Sequence, residues 1–182
     1  VDNGGAYYAG QGKDKRLVVK YKLKRGVKWS DGQPFDSNDV IFGYRLFMDP
    51  DVQVGGRSVA AKLHNVDNPD AYTVILNYLT ANEAAVEYKK DPEGNAALKD
   101  FIDAGTPVVD ANYNKNPFPV YPQHILKSFE GHFGDVVSSD FARKPVGTGP
   151  YMVKDWTPGV SITLEANPNY NVQPEKPRVK TL

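Results

Sequence analysis

The sequence contains no cysteine, carries no excess charge of either sign and has no long apolar run. Without cysteine, disulfide scaffolds, cysteine-ligated zinc, iron–sulfur clusters and thiol nucleophiles are excluded, whereas the cellular compartment stays open. No stretch approaches the ~20 apolar residues of a membrane-spanning helix. The 22 basic and 22 acidic residues balance, so the overall charge gives no reason to expect binding to nucleic acid or to an anionic membrane.

Aromatic residues, by contrast, are plentiful. The 182 residues include 11 Tyr, 8 Phe and 2 Trp, and many of them stand beside Asn, Gly or Pro in predicted loops. This arrangement suits a surface that recognises a ligand, although tyrosines in loops also serve as half-buried anchors. The two tryptophans, Trp29 and Trp156, are predicted to fill the core. The length fits one domain or one and a half.

The hydrophobic periodicity predicts a mixed α/β (α+β) chain. Alternation over residues 17–24 indicates a half-buried strand. A helix is predicted near residues 37–48, with Asp36 as its N-cap and Asp39 three residues on. The other predicted elements are a hairpin at 63–66 and 72–78, two helices within 81–104, a short helix at 123–129, a strand pair at 151–156 and 161–166, and the opening of a strand at 179–182.

A basic cluster at residues 13–28 contains eight lysines and arginines and one acid, Asp14, and therefore carries a local charge of +7. A strand that binds single-stranded nucleic acid places aromatic rings on its basic face, but Tyr21 falls on the face opposite the lysines. We therefore interpret residues 17–24 as a solvated outer strand whose lysines discourage edge pairing.

Motifs for catalysis and for metal binding find no support. The three histidines, His64, His124 and His132, have no spacing that enforces metal ligation and no flanking triad motif. Asp49 and Asp51 begin like a calcium loop, but Val54 stands where that loop requires glycine. The residues alone therefore predict neither a metal nor a cofactor, and they give no positive sign of an enzyme.

Four blocks, in order along the chain, resemble the bacterial extracellular solute-binding proteins of family 5, the dipeptide and oligopeptide receptor type. The first is the run YKLKRGVKWSDGQPFDSNDV at residues 21–40, which resembles the family signature. The others are HNV at 64–66 with DAYTV at 70–74, YPQHIL at 121–126, and PVGTGPY at 145–151 with LEANPNY at 164–170. Together the blocks span roughly residues 17–182.

The resemblance implies a fold like that of type II periplasmic binding proteins. Members of the family are much longer, so we expect this chain to be a fragment that forms part of the first lobe. Residues 1–121 match the small extra subdomain of lobe I, and residues 122–182 match an incomplete part of the main sheet domain of that lobe. The proline-rich residues 106–122 fit the crossing between the two.

The function implied by the resemblance is capture of a solute for an ABC importer. The partners would be a peptide or another small solute and the permease subunits of the transporter, outside the cytoplasmic membrane in the periplasm or at the cell surface. Contact with the membrane would occur only through a lipid anchor outside this fragment. No cofactor, no catalysed reaction and no nucleic acid are expected.

The family also implies which segments face the ligand cleft. These are the loop after the signature helix, with Arg57 and Ser58, and the segment before the residue 121–126 block, with Phe118 and Tyr121. Arg57 would pair with a ligand carboxylate and the aromatic rings would wall the solute, while a solvated arginine and packed rings remain the alternative at each position. Two other functions stay open: a stand-alone interaction module that uses the basic strand 17–28, and an unrecognised hydrolase.

Overall fold

The computed structural model describes residues 4–110 and 118–182. Within these ranges the strands are β1 (Gly5–Ala9), β2 (Arg16–Lys22), β3 (Leu63–Asp70), β4 (Thr73–Tyr78), β5 (Tyr151–Thr157) and β6 (Ser161–Ala166). The α-helices are α1 (Ser37–Met48), α2 (Arg57–Ala60), α3 (Ala81–Lys90), α4 (Lys99–Ala104), α5 (Gln123–Leu126) and α6 (Asp140–Arg143). In the described ranges, no helix combines the length and the apolar character needed to cross a membrane.

The first half of the chain forms an antiparallel four-stranded sheet in the order β1-β2-β4-β3. The predicted hairpin β3–β4 is confirmed. The interpretation of residues 17–24 as an outer strand is wrong, because β1 pairs with the free side of β2 and makes it a central strand. Val18 and Val19, on opposite faces of β2, are both buried, as a central strand requires.

The predicted helix at residues 37–48 is confirmed as α1. Asp36 caps it: its side chain accepts a hydrogen bond from the backbone N–H of Asn38, and the Asp39 side chain accepts one from the backbone N–H of Asp36. The predicted pair of helices within residues 81–104 corresponds to α3 and α4, separated by a turn and a short 3-10 helix at Ala96–Leu98.

Hydrophobic clusters lie on both sides of α1. One cluster fills the space between α1 and the four-stranded sheet, and the other joins α1 to residues that follow position 121. Burial of each large side chain contributes roughly 1.5–3 kcal/mol. The sheet-side cluster includes Val19, Val40, Phe47, Leu63, Val74, Leu76 and Phe118, and the second cluster consists of Phe42, Leu46, Val52, Leu126 and Phe133.

The last part of the chain contains α5, α6 and the antiparallel hairpin β5–β6, which confirms the predicted strand pair and short helix. Instead of the predicted strand opening at residues 179–182, the structure has an isolated bridge between Thr181 and Glu165, where Leu182 and Leu164 exchange two backbone hydrogen bonds of 2.9 Å. Trp29 is buried as predicted, but Trp156 is 42% exposed on β5, so its assignment to the core is wrong. The domain boundary at residue 121 stays a prediction, and residues 111–117 of the predicted crossing segment lie outside the described residues.

Candidate functional site

The two segments expected to face a ligand meet at one surface depression. Its volume is about 600 Å³, and we call it the α1 groove. Its lining comes from the C-terminal end of α1, from the loop that follows α1, and from the segment before α5. The lining residues are Phe47, Val54, Gly55, Gly56, Phe118, Pro119 and Tyr121.

One wall of the α1 groove depends on a glycine in the middle of α1. Gly43 faces the incoming segment so closely that a Cβ atom there would lie 2.7 Å from the Pro119 carbonyl oxygen and 3.2 Å from the Tyr121 backbone nitrogen. Phe118 is buried, and its ring centroid lies 5.2 Å from that of Tyr44. The absence of a side chain at Gly43 therefore brings residues 118–121 against the helix and fixes this wall.

The other wall is the loop between α1 and α2. Its first turn is closed by Asp49, whose carbonyl accepts from Val52 N–H at 3.2 Å and whose carboxylate accepts from Asp51 N–H at 3.0 Å. Gly56 then adopts a left-handed conformation, with φ of 78°, as it starts α2. A non-glycine residue rarely takes this conformation, so Gly56 sets the direction in which the loop leaves the groove.

Two of the four predicted site residues, Phe118 and Tyr121, line the α1 groove. Ser58 is exposed on α2, just beyond the rim. Arg57 turns its guanidinium toward the backbone: Nε donates to the Phe47 carbonyl at 3.0 Å, and Nη2 donates to the carbonyls of Asp49, at 2.8 Å, and of Val52. The structure gives the positions of these four residues, and the role of each residue toward a ligand stays a prediction.

The walls of the α1 groove are electrically neutral. None of the described residues that line it has a charged side chain. Burial raises the pKa of the Tyr121 phenol above its usual value, so this hydroxyl stays protonated and able to donate a hydrogen bond at neutral pH. The groove therefore offers apolar contacts, one phenol and backbone groups.

One backbone donor in the groove lining, the N–H of Gly55, has no hydrogen-bond partner within the described part of the chain. The Tyr121 N–H has none there either, but its nitrogen lies on the side that faces Gly43 of α1. Residues 118–121 form neither helix nor strand. The Gly55 N–H can therefore bind water or a carbonyl group of a ligand, since an unpaired backbone donor is costly to bury without an acceptor.

Other polar clusters in the described residues are held together internally. In a second cavity, of about 260 Å³, the buried Asp39 accepts from Trp29 Nε1, Asp36 N–H and Gln123 N–H. The His124 imidazole contacts the Asp31 carboxylate at 2.7 Å. No group of three or more histidines and carboxylates suited to a metal ion occurs among the described residues.

Several side chains of the basic strand region have partners inside the fold. Lys22 Nζ donates to the Thr73 hydroxyl at 2.7 Å, and Lys24 Nζ donates to the Asn171 carbonyl at 2.7 Å. The guanidinium carbon of Arg25 lies 4.2 Å from the ring centroid of Tyr72. These contacts do not favour an interaction module built on residues 17–28.

Sequence reasoning missed Gly43 and the backbone partners of Arg57. Gly43 had a usable signal, because glycine inside an amphipathic helix costs about 1 kcal/mol relative to alanine and so indicates close packing. The partners of Arg57 had none, since backbone carbonyls occur at every position.

Comparison with known proteins places this chain in a family. Residues 11–182 match the family model described as bacterial extracellular solute-binding proteins, family 5 Middle. The oligopeptide-binding protein AppA of Bacillus subtilis is 28% identical over 161 residues, which are 86% of this chain and 24% of that protein. Protein XP55 of Streptomyces lividans is 27% identical over 174 residues, which are 92% of this chain and 24% of that protein. The chain thus spans about a quarter of the length of these relatives.

Solved structures show the same fold. The structure of AppA from Bacillus subtilis in complex with a nonapeptide matches with a TM-score of 0.59 and 24% identity, over 92% of this chain and 28% of that chain. NikZ from Campylobacter jejuni in complex with Ni(L-His) matches with a TM-score of 0.58 and 20% identity, over 92% of this chain and 27% of that chain. These matches confirm both the resemblance and the mixed α/β fold class, as part of a longer chain in each case.

Proposed function

Because this chain belongs to the bacterial extracellular solute-binding proteins of family 5, we propose that it forms one wall of the ligand cleft in a receptor for peptides or related small solutes. The receptor captures its solute outside the cytoplasmic membrane, in the periplasm or at the cell surface, and delivers it to the permease subunits of an ABC importer. Any attachment to the membrane is through a lipid anchor outside this chain.

The observation that carries the proposal is the α1 groove. Its phenol, its apolar side chains and the unpaired Gly55 N–H suit a solute with apolar groups and carbonyl oxygens, which a peptide supplies. AppA, one of the relatives, is named an oligopeptide-binding protein and has been solved with a nonapeptide. NikZ has been solved with Ni(L-His), so metal chelates belong among the solutes to be tested.

Binding alone accounts for such a receptor, and we propose that no chemistry is catalysed. A ligand that contacts both lobes stabilises the closed state by its differential affinity for that state. One wall supplies only some of those contacts, so the test requires the protein as encoded by its complete gene.

The proposal is tested by thermal unfolding in the presence of peptides, oligosaccharides and metal chelates. A ligand present at 100 times its Kd stabilises the native state by about 2.7 kcal/mol. We expect a peptide mixture to raise the Tm of the wild-type protein. In Tyr121→Ala the ligand-induced rise should shrink, whereas Tyr7→Ala, which removes an exposed tyrosine of β1, should keep it.

Two results would contradict the proposal. If no solute class shifts the Tm of the wild-type protein, the receptor function fails. If Tyr121→Ala keeps the full ligand-induced shift relative to its own ligand-free Tm, the solute binds elsewhere and the α1 groove is not its site. Turnover of a peptide that disappears on replacing His64, His124 or His132 with alanine would instead favour a hydrolase.

A further inference from the structure

The Arg57 guanidinium joins three points of the chain behind the α1 groove. Its Nε and Nη2 atoms donate to the carbonyls of Phe47, Asp49 and Val52. The first of these carbonyls belongs to the last turn of α1, and the other two belong to the turn that follows it. One planar side chain thus connects the end of the helix to both sides of the next turn.

The chemistry of these acceptors explains why arginine suits the position. The last four carbonyls of a helix have no partner within the helix, and a cation at that end also interacts favourably with the helix dipole. The fixed fork of a guanidinium reaches several acceptors at once, whereas the single ammonium group of lysine is a point charge. The contacts therefore depend on the shape of the group as well as on its charge.

The contacts of Arg57 set the distance between two parts of the groove lining. Phe47 lies on one side of the turn, and Val54, Gly55 and Gly56 lie on the other. We infer that Arg57 is a positioning residue that holds this wall in place through backbone carbonyls, and that it does not supply a charge to a ligand carboxylate. With neutral walls, the part of the solute that enters the groove is uncharged. The positioning role stands on the hydrogen bonds of Arg57, whereas the statement about the solute refines the proposed function and rests on it.

The first test needs no ligand. Arg57→Gln and Arg57→Lys should each lower hydrogen-exchange protection at the Asp49 and Val52 amides, which donate to Leu46 and Asp49 carbonyls. Hydrogen bonds to a charged group predict a loss of about tenfold or more. Ser58→Ala should leave these amides unchanged. Wild-type protection in both Arg57 variants would overturn the inference.

A second measurement separates positioning of the groove from a general loss of stability. The protein is labelled with 4-fluorophenylalanine, and the ¹⁹F resonance of Phe47 is assigned by its absence in Phe47→Leu. Both Arg57 variants should shift or broaden this resonance in the folded state. The matched control is Arg16→Gln, which removes another half-buried guanidinium, bound to the Tyr78 carbonyl and to Glu83. If the control moves the Phe47 resonance as much as Arg57→Gln does, Arg57 has no specific role in positioning.

The third measurement compares two probes, the tripeptide Ala-Phe-Ala as its free acid and as its C-terminal amide. A positioning role predicts that Arg57→Gln and Arg57→Lys weaken both probes by the same factor. A carboxylate partner would instead show selective loss of the free acid in Arg57→Gln and recovery in Arg57→Lys, which would overturn the inference. If the wild-type protein binds neither probe, peptide recognition fails, while hydrogen exchange and ¹⁹F NMR still decide the role of Arg57.

Discussion

The segment that precedes α1 and the α1 groove differ in how far their polar groups are bonded to the rest of the fold. In residues 25–36, which we call the signature turn, the backbone N–H of Trp29 donates to the Gln33 carbonyl at 2.8 Å and the backbone N–H of Ser30 donates to the Gly147 carbonyl at 2.9 Å. Along the α1 groove, in the described chain, the N–H groups of Gly55 and Tyr121 have no acceptor. The segment with the clearest family resemblance is therefore a joint between parts of the fold, whereas the α1 groove lies in less distinctive loops.

Asp39 is the centre of that joint. It is 5% exposed, and its carboxylate accepts from Trp29 Nε1 at 3.1 Å and from the backbone N–H of Gln123 at 2.9 Å. The second contact bridges 84 positions of sequence and ties α1 to α5. A family signature can thus identify a fold without identifying a ligand.

The largest effect should come from removing this joint. Asp39→Ala leaves three donors without their acceptor, two of them the buried Trp29 indole and the Gln123 N–H. Each donor left unsatisfied costs about 1–3 kcal/mol, so we expect a loss of about 3 kcal/mol or more in the free energy of unfolding. Urea unfolding measures it. Asp100→Ala, at an exposed position of α4, is the control and should change the free energy by less than about 0.5 kcal/mol.

An equal loss in both aspartate variants would contradict the description of Asp39 as a joint. So would an Asp39→Ala protein as stable as wild type, because the donors would then have found other acceptors.

An intermediate effect should come from closing the space between α1 and the groove wall. Gly43→Ala places a methyl group 2.7 Å from the Pro119 carbonyl oxygen, which is backbone and cannot rotate away. Alanine gains about 1 kcal/mol of helix propensity, but overpacking costs about 1–3 kcal/mol. We expect a net loss of about 1 kcal/mol, measured by urea unfolding, and a weaker ligand-induced rise in Tm.

The matched control makes the same substitution in the open part of the groove. A Cβ atom at Gly55 meets nothing within 4 Å. Gly55→Ala should therefore leave the free energy of unfolding unchanged to within about 0.5 kcal/mol. If Gly43→Ala proves as stable as Gly55→Ala, the close approach does not fix the wall.

The sequence predicted best what depends on neighbouring residues. The start of α1 followed from Asp36 and Asp39, because a capping box satisfies backbone donors within one turn. The hairpin β3–β4 followed from alternation and a turn. β1 was not predicted, since its five residues, Gly5–Ala9, alternate weakly and are stabilised by pairing with β2.

The candidate site was harder to predict because its parts are distant in sequence. Tyr121 and Gly55 line one groove only because Gly43 admits the later segment to the helix. Arg57 was expected to pair with a ligand carboxylate, whereas its partners here are backbone carbonyls, which no residue pattern marks. The family resemblance predicted that two segments face a ligand, which stays a prediction; the tertiary fold brings both to one groove and decides which side chains line it.

The smallest effect should be a pH dependence that belongs to the scaffold and not to the groove. Burial raises the pKa of Glu83. Hydrogen bonds from the Thr80 N–H and the Arg16 guanidinium, together with nearby His64, lower this pKa by more than burial raises it, so it lies below its usual value. A depressed folded-state pKa gives stability that is complete above the unfolded pKa of about 4.3 and is lost as the pH falls through the folded value. We therefore expect the difference in free energy of unfolding between wild type and Glu83→Gln to be constant above about pH 5.5 and to disappear toward about pH 3. Its size should be under about 1 kcal/mol because solvent screens the pair. Glu87→Gln, in an ion pair with Lys90 on the same helix, is the control. If instead wild type became more stable relative to Glu83→Gln as the pH fell, the Glu83 carboxylate would destabilise the fold.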